Sequence, residues 1–521
     1  MNPLEIIVLI GVLVLLGSWL APWLRVPAPL LQLVLGLLAG FVPLVREIHL
    51  PSEAVLVLFL PALLFWESLT TSLREIRRDL RGILILSTLL VAASAFGIAG
   101  IGVALGLGWG AALILGAALA PTDATAVGAM ARSLPHRNMT ILRAESLIND
   151  GSALVIYSIA VGAAVSHVAY TGWEITGLVV LAYVGGGAVG LLAGWLGTLL
   201  LRRLGEPIVN NTALVVVPFV AFLGAELIHA SGVIAVVVAG LMLSQTGPRA
   251  STPQSRQQTA AFWSLTTSIL NGALFVLIGI EAQSAIRAVA GSEIPVLIAL
   301  TVLAWLAIIV IRFVFQMVTV WLIRLLDRRP SQRGRRMTYR ARVVSAIAGF
   351  RGAISLAVAL AVPATLSGRA EIIFVATGVV ILTLVVQGIL LPPVVRWARF
   401  QPDTSVDDEL AKAQHAATAE ALADIGDLSA HLGLSDAVRD RVFEEYRDHL
   451  EVMDASGNED DRLLLARDEE YTTLRLALLK RKRDVMIRLR DEGVISDTAL
   501  RIMQTRLDRE ELRLSQPELL E

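Results

Sequence analysis

Up to about residue 398 the chain is a succession of apolar runs, each close to the ~20 residues a helix needs to cross a bilayer, and beyond that point it turns charged. No other feature constrains the fold so tightly. In hydrocarbon every backbone N–H and C=O must be satisfied within the protein, so segments of this length span as helices. The runs lie near 4–21, 27–45, 53–72, 82–107, 109–131, 139–166, 173–201, 208–228, 231–245, 258–285, 293–325, 341–366 and 371–396, thirteen in all. Several exceed 23 residues, which calls for tilt or irregular helix. The mean hydropathy of +0.69 agrees with a chain that lives largely in lipid.

Charge divides the sequence at the same place. Residues 401–521 hold 29 acidic and 17 basic side chains; the whole chain has 45 and 44, which leaves 16 and 27 for residues 1–400. The first lysine is Lys412, so every Lys or Arg before it is arginine, and the arginines alternate between gaps. Arg25; Arg74, Arg77, Arg78 and Arg81; Arg132, Arg137 and Arg143; Arg202 and Arg203; Arg249 and Arg256; and Arg328 to Arg340 fall in odd-numbered gaps. Even-numbered gaps carry only Arg46, Arg287 and Arg369. By the positive-inside rule this puts the N-terminus outside and the tail in the cytoplasm of a plasma-membrane protein. A wrong helix count would scramble the alternation. The first run, flanked by Glu5 and no basic residue, reads as a span and not as a secretory signal.

The chain has no cysteine, hence no disulfide and no thiolate metal site. It has no HExxH zinc motif and no GK[ST] phosphate loop. No enzyme activity, resident cofactor or nucleic-acid partner is expected.

Ionisable groups inside a membrane are costly and functional by default. Here they are Glu67, Asp123, Glu145, Asp150, Glu226, Glu281, Arg312 and Arg351. At ~100° per residue, Glu145, Asn149, Ser146 and Asp150 of "ESLINDG" share one helix face, and the turns that follow are apolar. In "APTDATAV", residues 120–127, Pro121 disturbs a mid-membrane helix just before Thr122 and Asp123. Broken helix at that depth is tolerated only inside protein or beside water, and its freed carbonyls and carboxylate are hard ligands suited to a small cation. In "GFRGAIS", residues 349–355, two glycines flank Arg351 and weaken the helix. Arg351 needs an anion there. Glu145 and Asp123 are the candidates, and Glu145 is the choice that leaves Asp150 free.

If helices 1–6 and 8–13 are two inverted repeats joined by helix 7, the two interrupted segments occupy matching positions, helices 5 and 12. Paired broken helices in corresponding places point to a transporter's midplane site. The fold class is therefore an all-α polytopic membrane protein with crossing broken helices, residues 1–400, followed by a cytoplasmic helical and regulatory domain, residues 401–521.

The stretches "APTDATAV", "ESLINDGSALVIY", "GFRGAISLAVALAVP" and "VVQGILLPPVV" together resemble the monovalent cation:proton antiporter-1 family of sodium/proton exchangers, over roughly residues 5–400. The resemblance implies electroneutral exchange of one sodium or lithium ion for one proton. It implies that Asp150 binds cation and proton in turn, and that Asp123, the Thr122 backbone and Ser146 complete the Na+ site. Asn149 would hold the crossing helices together, and Glu145 and Arg351 would form a buried structural pair. It also implies a homodimer whose core bundle slides against a dimerisation bundle. Asn149, in place of a second aspartate, suits a one-for-one exchange. Ala124 departs from the proline that often follows the aspartate in this family.

The bottom-up logic is competition: burial favours the neutral carboxyl and a cation favours the carboxylate, so a buried Asp150 holds one or the other. A potassium/proton antiporter of the same fold is the nearest alternative. An ion channel is the rival from another class and would lack the proton counter-flux. Glu67 reads as structural or vestibular, and His136 as a solvated loop residue. Gly186, Gly190 and Gly194 suggest close helix packing. The tail reads as amphipathic helices interrupted at residues 493–496. Its basic run Lys480–Arg483 is solvated or meets lipid headgroups or the acidic tail, and its regulator is unspecified.

Overall fold

The computed structural model describes residues 3–43, 45, 52–124, 127, 134–166, 170–204, 206–250, 252–326, 338–400, 403, 405–454, 459–492, 500, 503–504 and 506–511. Among these there is no strand. The first helices are α1 (Pro3–Leu24), α2 (Ala28–Ala39), α3 (Ser52–Thr70), α4 (Leu73–Ala104) and α5 (Trp109–Leu119). Next come α6 (His136–Ser166), α7 (Gly172–Arg203), α8 (Pro207–Glu226), α9 (Gly232–Ala250), α10 (Pro253–Ala288) and α11 (Ile294–Leu326). The membrane part ends with α12 (Tyr339–Ile347), α13 (Ala353–Leu360) and α14 (Arg369–Ala398).

Eight of these are long and apolar enough to cross a membrane unaided: α1, α4, α6, α7, α8, α10, α11 and α14. Helices α2, α3, α5 and α9 are apolar but shorter. The apolar run at 341–366 holds two half-helices, α12 and α13, parted at residues 348–352. Large apolar side chains such as Trp23, Trp173 and Leu227 stand more than two-thirds exposed. Water would not tolerate so much apolar surface, and lipid accepts it.

Local chemistry explains the boundaries. Thr252 caps α10 through the Ser255 amide, with Pro253 in the first turn where its missing N–H costs nothing. Thr338 caps α12 through the Ala341 amide. Gly368 takes the left-handed conformation that starts α14. Helices α7 and α14 each carry a π-turn, at Leu181–Gly185 and Thr383–Gln387.

The helices pack in two groups. In one, α4, α5 and α6 pack on each other and, with α11–α14, enclose the broken segments. In the other, α7 packs on α8 and α9, α9 on α3, and α2 on α1 and α10. Gly190 brings the α7 backbone against the Ala235 carbonyl of α9, where a Cβ would overlap it, as expected for small residues at a membrane helix interface.

Contacts divide the chain into two units, 1–401 and 402–521. The second holds α15 (Ser405–His431), α16 (Asp436–Asp454), α17 (Glu459–Asp491) and helical residues at 506–511. Within it Arg475 pairs with Glu510 at 2.9 Å, and Arg483 meets Asp508 and Glu511 at 2.6 and 2.5 Å. Of the basic run, Arg483 thus engages acidic residues, while Lys480, Arg481 and Lys482 are exposed. Pairs this open are screened by water and add little to stability. The interruption expected at 493–496 lies outside the described residues, as do Arg132 and the arginines at 328–336.

Candidate cation site

Helix α5 stops at Leu119, residues 121–123 run non-helically, and Ala124 and Val127 are helical again; residues 125–126 and 128–133 are outside the described set. The second interruption crosses this one. The Asp123 amide donates to the Phe350 carbonyl at 2.8 Å, joining the two breaks backbone to backbone. Both depend on residues that the helix does not favour, Pro121 on one side and Gly349 and Gly352 on the other.

A break in a membrane helix strands carbonyls, and here side chains meet them. Arg351 Nη1 donates to the Pro121 carbonyl at 2.8 Å. Ser146 Oγ donates to the Thr122 carbonyl at 2.8 Å, and Asn149 Nδ2 to the Thr122 hydroxyl at 2.7 Å. The guanidinium sits where α5 ends and carbonyl dipoles point outward, which favours a positive charge. Asp123 sits at the start of α13, where the dipole favours a negative one. Its carboxylate occupies the space a Cβ on Gly352 would take, so the glycine is required by this approach. The Thr383–Gln387 π-turn places the Thr383 hydroxyl 3.4 Å from both the amide and the carbonyl of Arg351.

The polar face of α6 is divided. Glu145 and Asn149 turn towards Arg312 and Arg351, around a small enclosed space. Ser146 and Asp150 turn the other way and line a cavity of about 410 Å³, together with Pro121, Thr122, Asp123 and the residues that open α13. Glu67 of α3, Arg143 of α6 and Asn271 of α10 line it as well. The structure therefore brings Asp150, Asp123, Thr122 and Ser146 to one cavity and adds Glu67. Asp150 is 1% exposed, and neither of its carboxylate oxygens has a hydrogen-bond partner among the described residues. One oxygen of Glu67, Oε1, is likewise buried and unpartnered.

A buried ionised carboxylate without a partner costs far more than the fold can offset. Glu145, equally buried, is in the opposite condition: Arg312 of α11 takes both its oxygens, Nη1 to Oε1 and Nη2 to Oε2 at 2.8 Å, while Arg312 Nε donates to the Ser345 carbonyl. The expected Glu145–Arg351 pair is thus corrected. Arg312 is the partner, and Arg351 gives Nη1 to the Pro121 carbonyl instead. Two arginines lie in neighbouring apolar runs, and only their packing decides which one α6 meets. Glu67, read as structural or vestibular, lines this cavity, in keeping with the vestibular alternative; nothing in its local sequence says which cavity, because that depends on how α3 packs beside α6. His136, the first residue of α6, is exposed, 3.4 Å from the Thr140 hydroxyl.

An all-helical membrane bundle with two interrupted helices crossing beside a buried, unpartnered carboxylate has the form of a secondary ion transporter. Comparison with known proteins makes the class specific. The family model described as "Sodium/hydrogen exchanger, transmembrane" matches residues 11–397, and the chain belongs to that family, the monovalent cation:proton antiporters-1. It is 38% identical to an uncharacterized Na+/H+ exchanger of Mycobacterium tuberculosis, across 99% of this chain and 96% of that one. It is 32% identical to the Na+/H+ antiporter ApNhaP of Aphanothece halophytica, over 71% of this chain and 69% of the relative. The sodium proton antiporter MjNhaP1 of Methanocaldococcus jannaschii shares the fold, with a TM-score of 0.61 at 19% identity, covering 76% of this chain and 99% of that structure. The protein is an integral membrane transporter of the Na+/H+ exchanger family, not an enzyme.

Proposed function

We propose that this chain exchanges sodium or lithium for protons, one for one and without net charge, with Asp150 holding cation and proton in turn. The observation that carries the reading is the Asp150 carboxylate, buried on the cavity wall with no hydrogen-bond partner for either oxygen among the described residues. In this reading Asp123, the Thr122 carbonyl and the Ser146 hydroxyl complete the cation site, and Glu67 contributes a further carboxylate oxygen from the opposite wall. Asn149 ties α6 to the break after α5, and the Glu145–Arg312 pair is the structural anchor.

Alternating access follows if the group around the broken helices moves against the other group, exposing Asp150 to one side and then the other. The thirteen runs are read as thirteen crossings in two inverted repeats, with the N-terminus outside, the tail in the cytoplasm of the plasma-membrane cell, and two copies forming a dimer. The tail is proposed to be regulatory.

Fluorescence dequenching in vesicles holding a proton gradient tests the reading when sodium, lithium and potassium are titrated in turn. Sodium and lithium are expected to release protons at concentrations where potassium does not. A response to potassium alone would favour the potassium/proton alternative, and cation flux without proton counter-flux a channel.

Substitution at Gly352 tests the Asp123 assignment independently. Gly352→Ala is expected to push the Asp123 carboxylate out of place and to raise the half-saturating sodium concentration about tenfold, equivalent to one charge-assisted contact of ~1.5 kcal/mol. An unchanged value would remove Asp123 from the ion site.

A further inference from the structure

The cavity that holds Asp150 is not lined by negative charge alone. Among the described residues its charged side chains are Asp150, Asp123 and Glu67, and one cation, Arg143. Arg143 lies about two turns inside α6. Arg143, Ser146 and Asp150 are spaced by three and four, so they follow one face of the helix, and all three line the same space. About 10 Å of helix rise separates the arginine from the aspartate. Arg143 is exposed where Asp150 is buried, and no ion pair with a described residue holds it. Its charge acts on Glu67 through space.

Arginines at the ends of spans fix orientation, and that role does not require them to face an ion path. The neighbours of Arg143 do not face it. Arg74 and Arg77 lie in the first turns of α4, which packs beside Ala144 of α6 through Ile76 and Ile83, and neither lines the cavity. Arg137 does not line it either. Arg351 gives its guanidinium to the Pro121 carbonyl. From α10 and α13 come only neutral polar groups, Thr267, Asn271 and Ser355. A guanidinium in contact with water keeps its charge at any working pH. Each carboxyl of the cavity can be neutral or ionised, whereas Arg143 supplies a constant positive charge beside a site whose two substrates are both cations.

We propose that Arg143 sets the affinity of the exchange, as a tethered counter-cation that weakens the hold of the carboxyl cluster on sodium. The inference rests on the exchange reading above. Three carboxyls around a monovalent ion would bind it tightly, and an ion that is to be transported must also leave. A fixed charge at this distance acts on charge and not on ion size. Sodium and proton carry the same charge, so Arg143 weakens both alike and leaves the outcome of their competition unchanged.

Arg143→Gln and Arg143→Lys in the full-length chain test this in proteoliposomes, with the half-saturating sodium concentration taken across a pH series at low ionic strength. At alkaline pH, where protons do not compete, Arg143→Gln is expected to lower that concentration about threefold, the effect of one unit charge ~10 Å away in a partly hydrated cavity. At acid pH the variant and parent curves should coincide, because tighter sodium binding is matched by tighter proton binding. The pH at which the curve turns upward should therefore rise by about half a unit. Arg143→Lys keeps the charge and should follow the parent. Added choline chloride should shrink the difference, since an exposed charge is screened. An alkaline value that is unchanged or raised would overturn the proposal, and so would a shift of equal size at every pH or a loss of exchange in folded Arg143→Gln. Arg143→Lys behaving like Arg143→Gln would also overturn it, because the shape of the guanidinium and not its charge would then matter. A parent protein whose half-saturating concentration does not rise with acid would instead strike at the exchange reading itself.

Discussion

Asp150→Asn is expected to abolish proton-coupled cation flux and leave a folded protein of equal or greater thermal stability. The amide is nearly the same size as the carboxyl. Among the described residues the wild-type side chain makes no hydrogen bond that the change would break, since neither oxygen has a partner there. What disappears is the ability to exist as an anion, and with it the reason for a cation to enter the cavity and for a proton to be released. The amide needs neither proton nor cation to be buried, so stability should hold or rise while function is lost. Dequenching in vesicles and melting in detergent read the two separately. Robust sodium-driven proton release by the variant would mean that Asp150 is not the exchanging group.

Glu145 should behave in the reverse way, although it lies five residues from Asp150 on the same helix. Its carboxylate is held at both oxygens by Arg312, and both residues are almost wholly buried. Removing one member of such a pair leaves a lone buried charge, with a loss of ~3–5 kcal/mol. Glu145→Gln and Arg312→Met should each lower the melting temperature in detergent, with or without sodium. The double substitution should recover much of the loss, because no unpaired charge remains. The same cycle run between Glu145 and Arg351 should give a smaller coupling, since Arg351 is bonded to the Pro121 carbonyl. Full additivity between Glu145 and Arg312 would mean that the two residues do not meet.

The contrast between these two carboxylates shows how far the sequence could be read. Run length marked the helices, because a bilayer imposes a length that needs no knowledge of neighbours. Pro121 and the glycines around Arg351 marked both breaks, because backbone chemistry acts locally. The spacing of Glu145, Ser146, Asn149 and Asp150 placed them on one side of α6. It did not reveal that this side is shared between an arginine-lined space and a cavity, since that depends on where α11 and α3 pack. Arg312 and Arg351 are both cations inside apolar runs, and nothing local ranks them as partners of Glu145; only the tertiary arrangement gives Glu145 to the first and the Pro121 carbonyl to the second. Glu67 was visible as an acid near a helix end, and it gains meaning only from the cavity that α3, α6 and their neighbours enclose.

The central claim is that cation and proton compete for Asp150. A ligand that must be deprotonated before it binds a cation has a pH-dependent affinity. The direct measurement is the half-saturating sodium concentration and the maximal rate of exchange, taken together across a pH series in proteoliposomes. Competition at one carboxyl predicts that the half-saturating concentration rises about tenfold for each unit of acidification below the site's own pKa, while saturating sodium restores the same maximal rate. A half-saturating concentration that stays constant while the maximal rate falls with acid would contradict it, because proton and cation would then bind at different places.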